Sequence, residues 1–151
     1  DEPIENIDNI SMSLKAKAIK AHQRPYPAVD GLRKLEQCKP NNLPWRAAGT
    51  DSSDGLLEAI KSLCLSSGCK AIIFPEKLPR DDEWPQGVKW DNWCLTGGED
   101  YELVISLPES WAKEWLKLMP NAKKIGRLEK GFPKVIWANG NEINNLTFKH
   151  F

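Results

Sequence analysis

The sequence has little that would direct it to nucleic acids or to membranes. Its formal net charge is zero, from 21 basic and 21 acidic residues, so it lacks the charge excess of proteins that bind nucleic acids or anionic membranes. No apolar run approaches the roughly 18 residues that a membrane-spanning helix needs, and there is no signal-peptide pattern. We therefore expect a cytoplasmic protein that binds neither nucleic acid nor membrane.

Cysteine is scarce, and its spacing argues against a zinc site. The four cysteines are Cys38, Cys64, Cys69 and Cys94, and none of them forms the Cys-x-x-Cys pair that zinc sites usually show. The count allows a disulfide, but the chain has no secretory features, which favours reduced thiols that are buried or half-buried. The sequence also lacks the P-loop pattern GxxxxGK[ST], internal repeats and low-complexity tracts.

A length of 151 residues predicts one domain with a real hydrophobic core. Periodic apolar residues predict helices over residues 11–22, 28–38 and 110–119, and a further helix that Ser52 or Ser53 could cap and that ends at Gly68. Strands are expected over residues 45–49, 70–74, 101–107, 122–128 and 134–138. Residues 91–96 fit a turn or the end of a short helix, and Asn139-Gly140 predicts a tight turn. Helices mixed with mostly hairpin-linked strands predict an α+β fold, in which a mixed sheet is layered with helices.

Three of these elements carry side-chain expectations. The helix before Gly68 should bury Leu56, Leu57, Ile60, Leu63 and Cys64, and Gly68 should end it in a left-handed conformation. In the strand over residues 101–107, Tyr101 and Leu103 should point inward. The helix over residues 110–119 should begin with Pro108 at its first position and place Trp111, Trp115 and Leu118 on one face.

Residues 50–57 (TDSSDGLL) carry the clearest chemical pattern in the chain. Asp51 and Asp54 flank a strand-to-helix junction, where two carboxylates could share Mg²⁺ with water and phosphate oxygens. The Ser53 hydroxyl could contact a phosphate near the helix N-terminus, and Gly55 would let backbone approach closely. The alternative is a capping cluster, in which Ser52 or Ser53 only satisfies the amides of the following helix.

A second acidic pattern, residues 97–103 (GGEDYEL), precedes the strongest strand. The Gly97-Gly98 pair permits a tight, strained loop, and Glu99 could accept hydrogen bonds from a substrate amine. The alternative is a solvated acidic turn before a strand. Asp100 and Glu102 fit a structural hydrogen bond or an ion pair equally well.

These two patterns together resemble the paired signatures of the thiamine-monophosphate kinase family. Residues 23–27 (QRPYP) and 148–151 (FKHF) agree with the same family, so the resemblance covers residues 22–151, and it is to the C-terminal half only. The resemblance implies the C-terminal domain fold of the aminoimidazole-ribonucleotide-synthetase superfamily. Residues 1–22 would then be a lead-in and linker helix, residues 23–151 the domain, and the N-terminal ATP- and Mg²⁺-binding domain would be absent.

The resemblance also implies an activity and roles for particular residues. The reaction would be ATP-dependent phosphorylation of thiamine monophosphate to thiamine diphosphate, without a covalent nucleophile from the protein. Asp51 and Asp54 would be Mg²⁺ ligands, Ser53 an ATP contact, and Glu99 and Phe148 contacts to thiamine monophosphate. An aromatic face suits the cationic thiazolium, although Phe148 could equally close the core, and Thr147 stands where the family usually has Gly.

The missing half sets limits on what this chain can do. Since the chain begins at Asp1 without Met, we expect it to be a piece of a longer protein that dimerises through the absent N-terminal domain. The chain alone should then be inactive. Other readings are a superfamily member of the hydrogenase-maturation or selenophosphate-synthesis type, or a non-catalytic ligand-binding domain. The GGEDYEL string favours the thiamine enzyme. His22 and His150 have no Ser, Cys or metal-type partner near them in sequence, and His150 should be structural.

Overall fold

The computed structural model describes residues 10–26 and 28–143, which form an α+β arrangement as predicted. The helices of the described part are α1 (Met12–Gln23), α2 (Val29–Gln37), α3 (Leu56–Ser67), α4 (Val88–Thr96) and α5 (Glu109–Leu118), with a short 3-10 turn over Pro75–Lys77. The strands are β1 (Ala48–Asp51), β2 (Cys69–Ile73), β3 (Leu103–Ser106), β4 (Gly126–Lys130) and β5 (Lys134–Trp137).

The strands form two small sheets. In one, β1 pairs with β3 in antiparallel fashion, and in the other β2 lies between an antiparallel β4 and a parallel β5. Among the named strands none pairs with its neighbour in the chain, so the expectation of mostly hairpin-linked strands is wrong. The predicted tight turn at Asn139-Gly140 is present, because Gly140 has φ +91° and donates its N–H to the Trp137 carbonyl at 2.9 Å.

Helix α3 occupies the centre of the described fold. All five side chains of its predicted apolar stripe are buried, and Gly68 ends it at φ 58° and ψ 45°, as expected. The helix packs against strands of both sheets and against α4. Its stripe, with residues of β2 and β5 and with Leu95 of α4, makes the larger hydrophobic cluster. A single apolar helix therefore joins the two sheets into one core.

A second cluster holds α2 against α5. The predicted tryptophans of α5 are buried, and they donate indole N–H groups to α2: Trp111 to the Leu35 carbonyl at 3.0 Å and Trp115 to the Gly31 carbonyl at 2.8 Å. Leu118 was expected on the same face but is 40% exposed. It is the last residue of α5, and its carbonyl accepts a hydrogen bond from Lys34 of α2 at 3.0 Å. Pro108 is the N-cap residue of α5, one position earlier than expected.

The two-stranded sheet packs against a hydrophobic cluster on each of its faces. Val104 packs into the α3 cluster, whereas Leu103 and Ile105 pack into the cluster of α2 and α5. Both strands differ from the sequence expectation. β1 starts three residues later and includes Asp51, and β3 starts at Leu103 because Tyr101 has φ 52° and cannot continue an extended strand.

Helix α1 is attached to the domain through one buried side chain and several polar contacts. Leu14 is buried, and Ser11 caps the helix by accepting the Leu14 N–H at 3.0 Å. The Ser11 hydroxyl donates to Glu83, and Lys17 contacts both Asp81 and Glu83. Within the described residues, the helices are too short or too polar to cross a membrane. The four cysteines are free thiols, buried or half-buried as predicted.

Candidate functional site

The two acidic segments singled out in the sequence lie against each other. The Ser52 N–H donates to the Glu102 carbonyl at 3.0 Å, and the Glu102 N–H donates to the Ser52 hydroxyl at 3.0 Å. The Glu99 N–H donates to the Ser53 carbonyl at 2.7 Å. These contacts continue the pairing of β1 with β3 beyond its last pair, Asp51 with Leu103. The candidate site is therefore one continuous surface, built from the end of β1 and the loop before β3.

Asp51 ends β1 with its side chain exposed, and Ser53 folds back onto it. The Ser53 hydroxyl donates to Asp51 Oδ1 at 2.9 Å, with a longer contact of 3.4 Å from the Ser53 N–H. Asp54 follows in the same turn and is also exposed. Both carboxylates are thus open to a solvent-borne ligand, and the Ser53 hydroxyl is already turned toward this surface.

The start of α3 corrects the capping interpretation. Its N-cap residue is Gly55, and no side chain of the preceding serines or Asp54 caps the helix. Ser52 is instead buried, and its hydroxyl serves Glu102. Gly55 has the close backbone approach that was expected, since a Cβ atom there would lie 3.2 Å from the Leu95 and Thr96 carbonyl oxygens. The polar residues before Gly55 therefore do not cap α3.

Backbone strain in the second segment falls on residues other than its glycines. Glu99 has φ 67° and Tyr101 has φ 52°, in the left-handed region that side chains other than Gly rarely adopt, whereas Gly97 has an ordinary φ of −60°. Gly97 instead permits close packing, because a Cβ atom there would lie 3.0 Å from the Trp93 carbonyl oxygen. Tyr101, expected to point inward, is 45% exposed as a result of this turn.

The carboxyl groups beside Glu99 are partly removed from water. Desolvation by the surrounding protein raises the pKa of Asp100, and the charge of His22 partly offsets that rise. The pKa of Glu102 is raised as well, by desolvation and by the nearby charge of Asp100. A loop that holds several carboxyl groups in this setting favours a positively charged ligand.

His22 belongs to this site although its sequence neighbours did not indicate it. Its Nε2 atom lies 3.8 Å from Glu99 Oε2, across a junction between the last turn of α1 and the acidic loop. The separation of 77 positions between His22 and Glu99 hides this contact from sequence reasoning. The sequence points to His22 only through its position just before the QRPYP string, which contributes to the family resemblance.

An apolar groove of about 730 Å³ opens beside Asp51. Val29 and Leu32 of α2 form one wall, and Trp45, Tyr101 and Leu103 complete the lining. Both α2 residues are about half exposed, and Trp45 packs edge-on against Trp111 with 5.1 Å between ring centroids. A ligand at Asp51 would thus meet carboxylates on one side and an apolar surface on the other.

The donor set is compatible with Mg²⁺ held only in part by this chain. Within residues 10–26 and 28–143 there is no group of three or more His, Cys, Asp or Glu side chains placed to hold a metal ion. Mg²⁺ nevertheless commonly takes one or two carboxylates and completes its shell with water and phosphate oxygens. Asp51 and Asp54, exposed on one turn, match that requirement but cannot enclose an ion on their own.

Phe148, the other expected substrate contact, lies outside the described residues, as do His150 and Pro27. The structure thus brings together Asp51, Ser53, Asp54 and Glu99. His22, Ser52 and Tyr101 lie next to these residues in the structure.

Comparison with known proteins identifies the relatives of this chain. No protein-family model matches it. Thiamine-monophosphate kinase of Prochlorococcus marinus is 52% identical over 99% of this chain and 46% of that protein. The enzyme of the same name from Synechococcus elongatus is 37% identical over 91% of this chain and 43% of that protein. The chain is a relative of thiamine-monophosphate kinase. It spans about half the length of the curated thiamine-monophosphate kinases that it matches.

Solved structures of thiamine-monophosphate kinases share the fold. AaThiL, determined in complex with AMPPCP and TMP, matches 93% of this chain and 43% of its own with a TM-score of 0.71 and 30% identity. Thiamine-monophosphate kinase from Aquifex aeolicus matches 88% of this chain with a TM-score of 0.69 and 28% identity. The predicted α+β fold, with mixed strands and packed helices, is therefore the fold of part of this enzyme.

Proposed function

We propose that this chain is the C-terminal half of a cytoplasmic thiamine-monophosphate kinase, which transfers a phosphoryl group from ATP to thiamine monophosphate. The observation that carries the proposal is the hydrogen-bonded junction between residues 51–54 and 99–102. Two segments about fifty residues apart form one carboxylate-rich surface, and its members coincide with those that the family resemblance assigns to metal, nucleotide and substrate.

In this proposal Asp51 and Asp54 hold Mg²⁺, which neutralises phosphate charge when it is bound. Ser53 contacts the nucleotide. Its single hydroxyl proton is now donated to Asp51, so it can be donated to a phosphate oxygen only after that hydrogen bond opens. The role of these residues is positioning and charge neutralisation, and no side chain of the chain forms a covalent intermediate.

Glu99 receives the cationic end of thiamine monophosphate in the proposed complex. Its carboxylate is exposed at the surface, and its backbone is fixed by the 2.7 Å hydrogen bond to Ser53. That bond connects the proposed substrate contact directly to the proposed nucleotide contact. Phe148 would add an aromatic face to the cation.

The part of these relatives that lies outside the matched region would supply the rest of the site and the dimer interface. We therefore expect no turnover from the 151-residue chain alone, because two carboxylates cannot enclose Mg²⁺ and ATP without further ligands. Formation of thiamine diphosphate by the purified chain would contradict this. Activity of the full-length protein under the same conditions is the necessary positive control.

The metal assignment is tested by Asp54→Asn in the full-length enzyme. Loss of one carboxylate should weaken binding of a non-hydrolysable ATP analogue with Mg²⁺ by at least about tenfold, roughly 1.4 kcal/mol. Isothermal titration calorimetry measures this, with the thermal unfolding midpoint expected to stay near that of the unmodified enzyme. Asp82→Asn is the matched control, since it removes the same charge from the loop that contacts the first half of α1, outside the proposed metal site. Unchanged nucleotide affinity in Asp54→Asn would remove Asp54 from the site.

A further inference from the structure

The end of α1 lies beside the proposed substrate contact because the first half of the helix is attached to the domain. Lys17, in the middle of α1, contacts Asp81 at 3.2 Å and Glu83 at 3.3 Å, and the Ser11 hydroxyl donates to Glu83. The buried side chain of Leu14 attaches the first turn of α1 to the domain. The last turn therefore projects over the acidic loop in a defined position, with His22 Nε2 3.8 Å from Glu99 Oε2.

Glu99 needs such a partner because only its backbone is otherwise restrained. Its φ of 67° and its N–H bond to Ser53 fix the direction in which the side chain leaves the main chain. The carboxylate itself is 53% exposed and can move among several rotamers beyond that point. Restricting a long side chain before a ligand arrives lowers the entropy lost on binding.

We propose that His22 is a positioning residue, whose imidazole holds the Glu99 carboxylate in the orientation that receives the positively charged part of the substrate. The proposal rests on the proposed function, in which Glu99 contacts thiamine monophosphate. It makes α1 part of the substrate site rather than only a linker. His22 acts through Glu99 and does not touch the reacting phosphates.

The experiment uses the full-length enzyme and compares His22→Ala with His22→Gln. The alanine variant should raise KM for thiamine monophosphate about three- to tenfold, and leave kcat and KM for ATP within twofold of the unmodified enzyme. Glutamine places an amide N–H as many bonds from the main chain as Nε2 of histidine, so it should restore most of the lost affinity. An unchanged KM in His22→Ala, or no rescue by glutamine, would overturn the proposal.

One further variant separates positioning from a general effect of α1. Lys17→Ala removes one attachment of the same helix while Ser11 and Leu14 still hold its first turn, so KM for thiamine monophosphate should change by less than twofold. If it raises this KM as much as His22→Ala does, the effect belongs to helix docking and the proposal fails. Equal thermal unfolding midpoints for both variants would confirm that they remain folded.

Glu99→Gln distinguishes failure of this proposal from failure of the proposed function. It should raise KM for thiamine monophosphate by itself, and His22→Ala should then have no additional effect in the double variant. Additive effects would overturn the positioning role of His22. If Glu99→Gln leaves KM unchanged, the substrate contact assigned to Glu99 is wrong, and the role of His22 falls with it.

Discussion

Ser52 joins the two halves of the candidate site with both its backbone and its side chain. Its N–H and its hydroxyl both bind the backbone of Glu102, and its carbonyl accepts the Gly55 N–H at 2.9 Å. Its side chain is buried, in contrast to the exposed carboxylates on either side. A hydroxyl that first suggests a helix cap thus serves as a bridge between segments fifty residues apart.

Ser52→Ala should therefore destabilise the fold and leave the neighbouring backbone amide of Glu102 without a partner. An unsatisfied donor in such a place costs about 1–3 kcal/mol in unfolding free energy. Urea unfolding of the chain measures the difference. Ser53→Ala is the matched control, because Ser53 is less buried and donates to an exposed side chain, so it should change stability by less than about 0.5 kcal/mol. Equal losses in both variants would contradict the bridging role of Ser52.

At the scale of elements, the junction from β1 to α3 depends on a glycine where no other residue fits. Gly55 has φ 95° and ψ 156°, a combination that is accessible essentially to glycine alone. It also lies against the last carbonyl groups of α4, close to where the acidic loop begins. The beginning of α3, the end of α4 and the acidic loop are consequently packed around one position without a side chain.

Gly55→Ala should lower the free energy of unfolding by about 2–4 kcal/mol, from backbone strain plus the 3.2 Å contacts with Leu95 and Thr96. Gly87→Ala provides a close comparison. Gly87 is the N-cap of α4 with similar angles, φ 120° and ψ 166°, but a Cβ atom there meets no atom within 4 Å. Gly87→Ala should therefore lower the free energy of unfolding only by the backbone strain, about 1–3 kcal/mol. Chemical denaturation of both variants gives the two values. A Gly55→Ala loss no larger than that of Gly87→Ala would show that the close approach has no cost.

The elements that were predictable are those with a local signal. Helix α3 follows from apolar side chains at helical spacing and a glycine at its end. The pairing of β2 with β4 and β5 joins segments that are far apart in the sequence, and no local pattern encodes it. In the same way, the residues at positive φ in the acidic loop are Glu99 and Tyr101 rather than glycines, which no local pattern indicates. Motif resemblance singled out Asp51, Ser53, Asp54 and Glu99, which lie in adjacent segments of the structure, whereas the contact of His22 required tertiary structure.

Across the whole molecule, α3 joins the two sheets by packing against strands of both. Cys64, on the buried stripe, is 1% exposed and lies in the cluster shared with β2 and β5. Burial is the largest cause that raises the pKa of its thiol to about 11. Its ionisation therefore reports on the opening of the central core rather than of a surface loop.

This shift predicts a loss of stability in alkaline solution. The unfolded thiol loses its proton near its ordinary pKa of about 8.5, whereas the folded thiol keeps it until about 11. Between these values the folded state binds more protons, so the free energy of unfolding falls as pH rises from about 8.5 toward 11. Urea unfolding midpoints at pH 8 and pH 10 measure this fall, and it should be shallower in Cys64→Ala. Equal slopes for the two proteins would show that Cys64 does not contribute.

The order of the strands along the chain has a consequence for the protein during its synthesis. β2 leaves the ribosome more than fifty residues before β4 and β5, the strands that cover its two edges, and β1 likewise waits for β3. Until then each early strand presents unpaired backbone groups to other nascent chains. Association of partly made chains should therefore be most frequent before residue 137 has been translated. A bound chaperone would be most useful in that interval, and least useful once β5 has emerged.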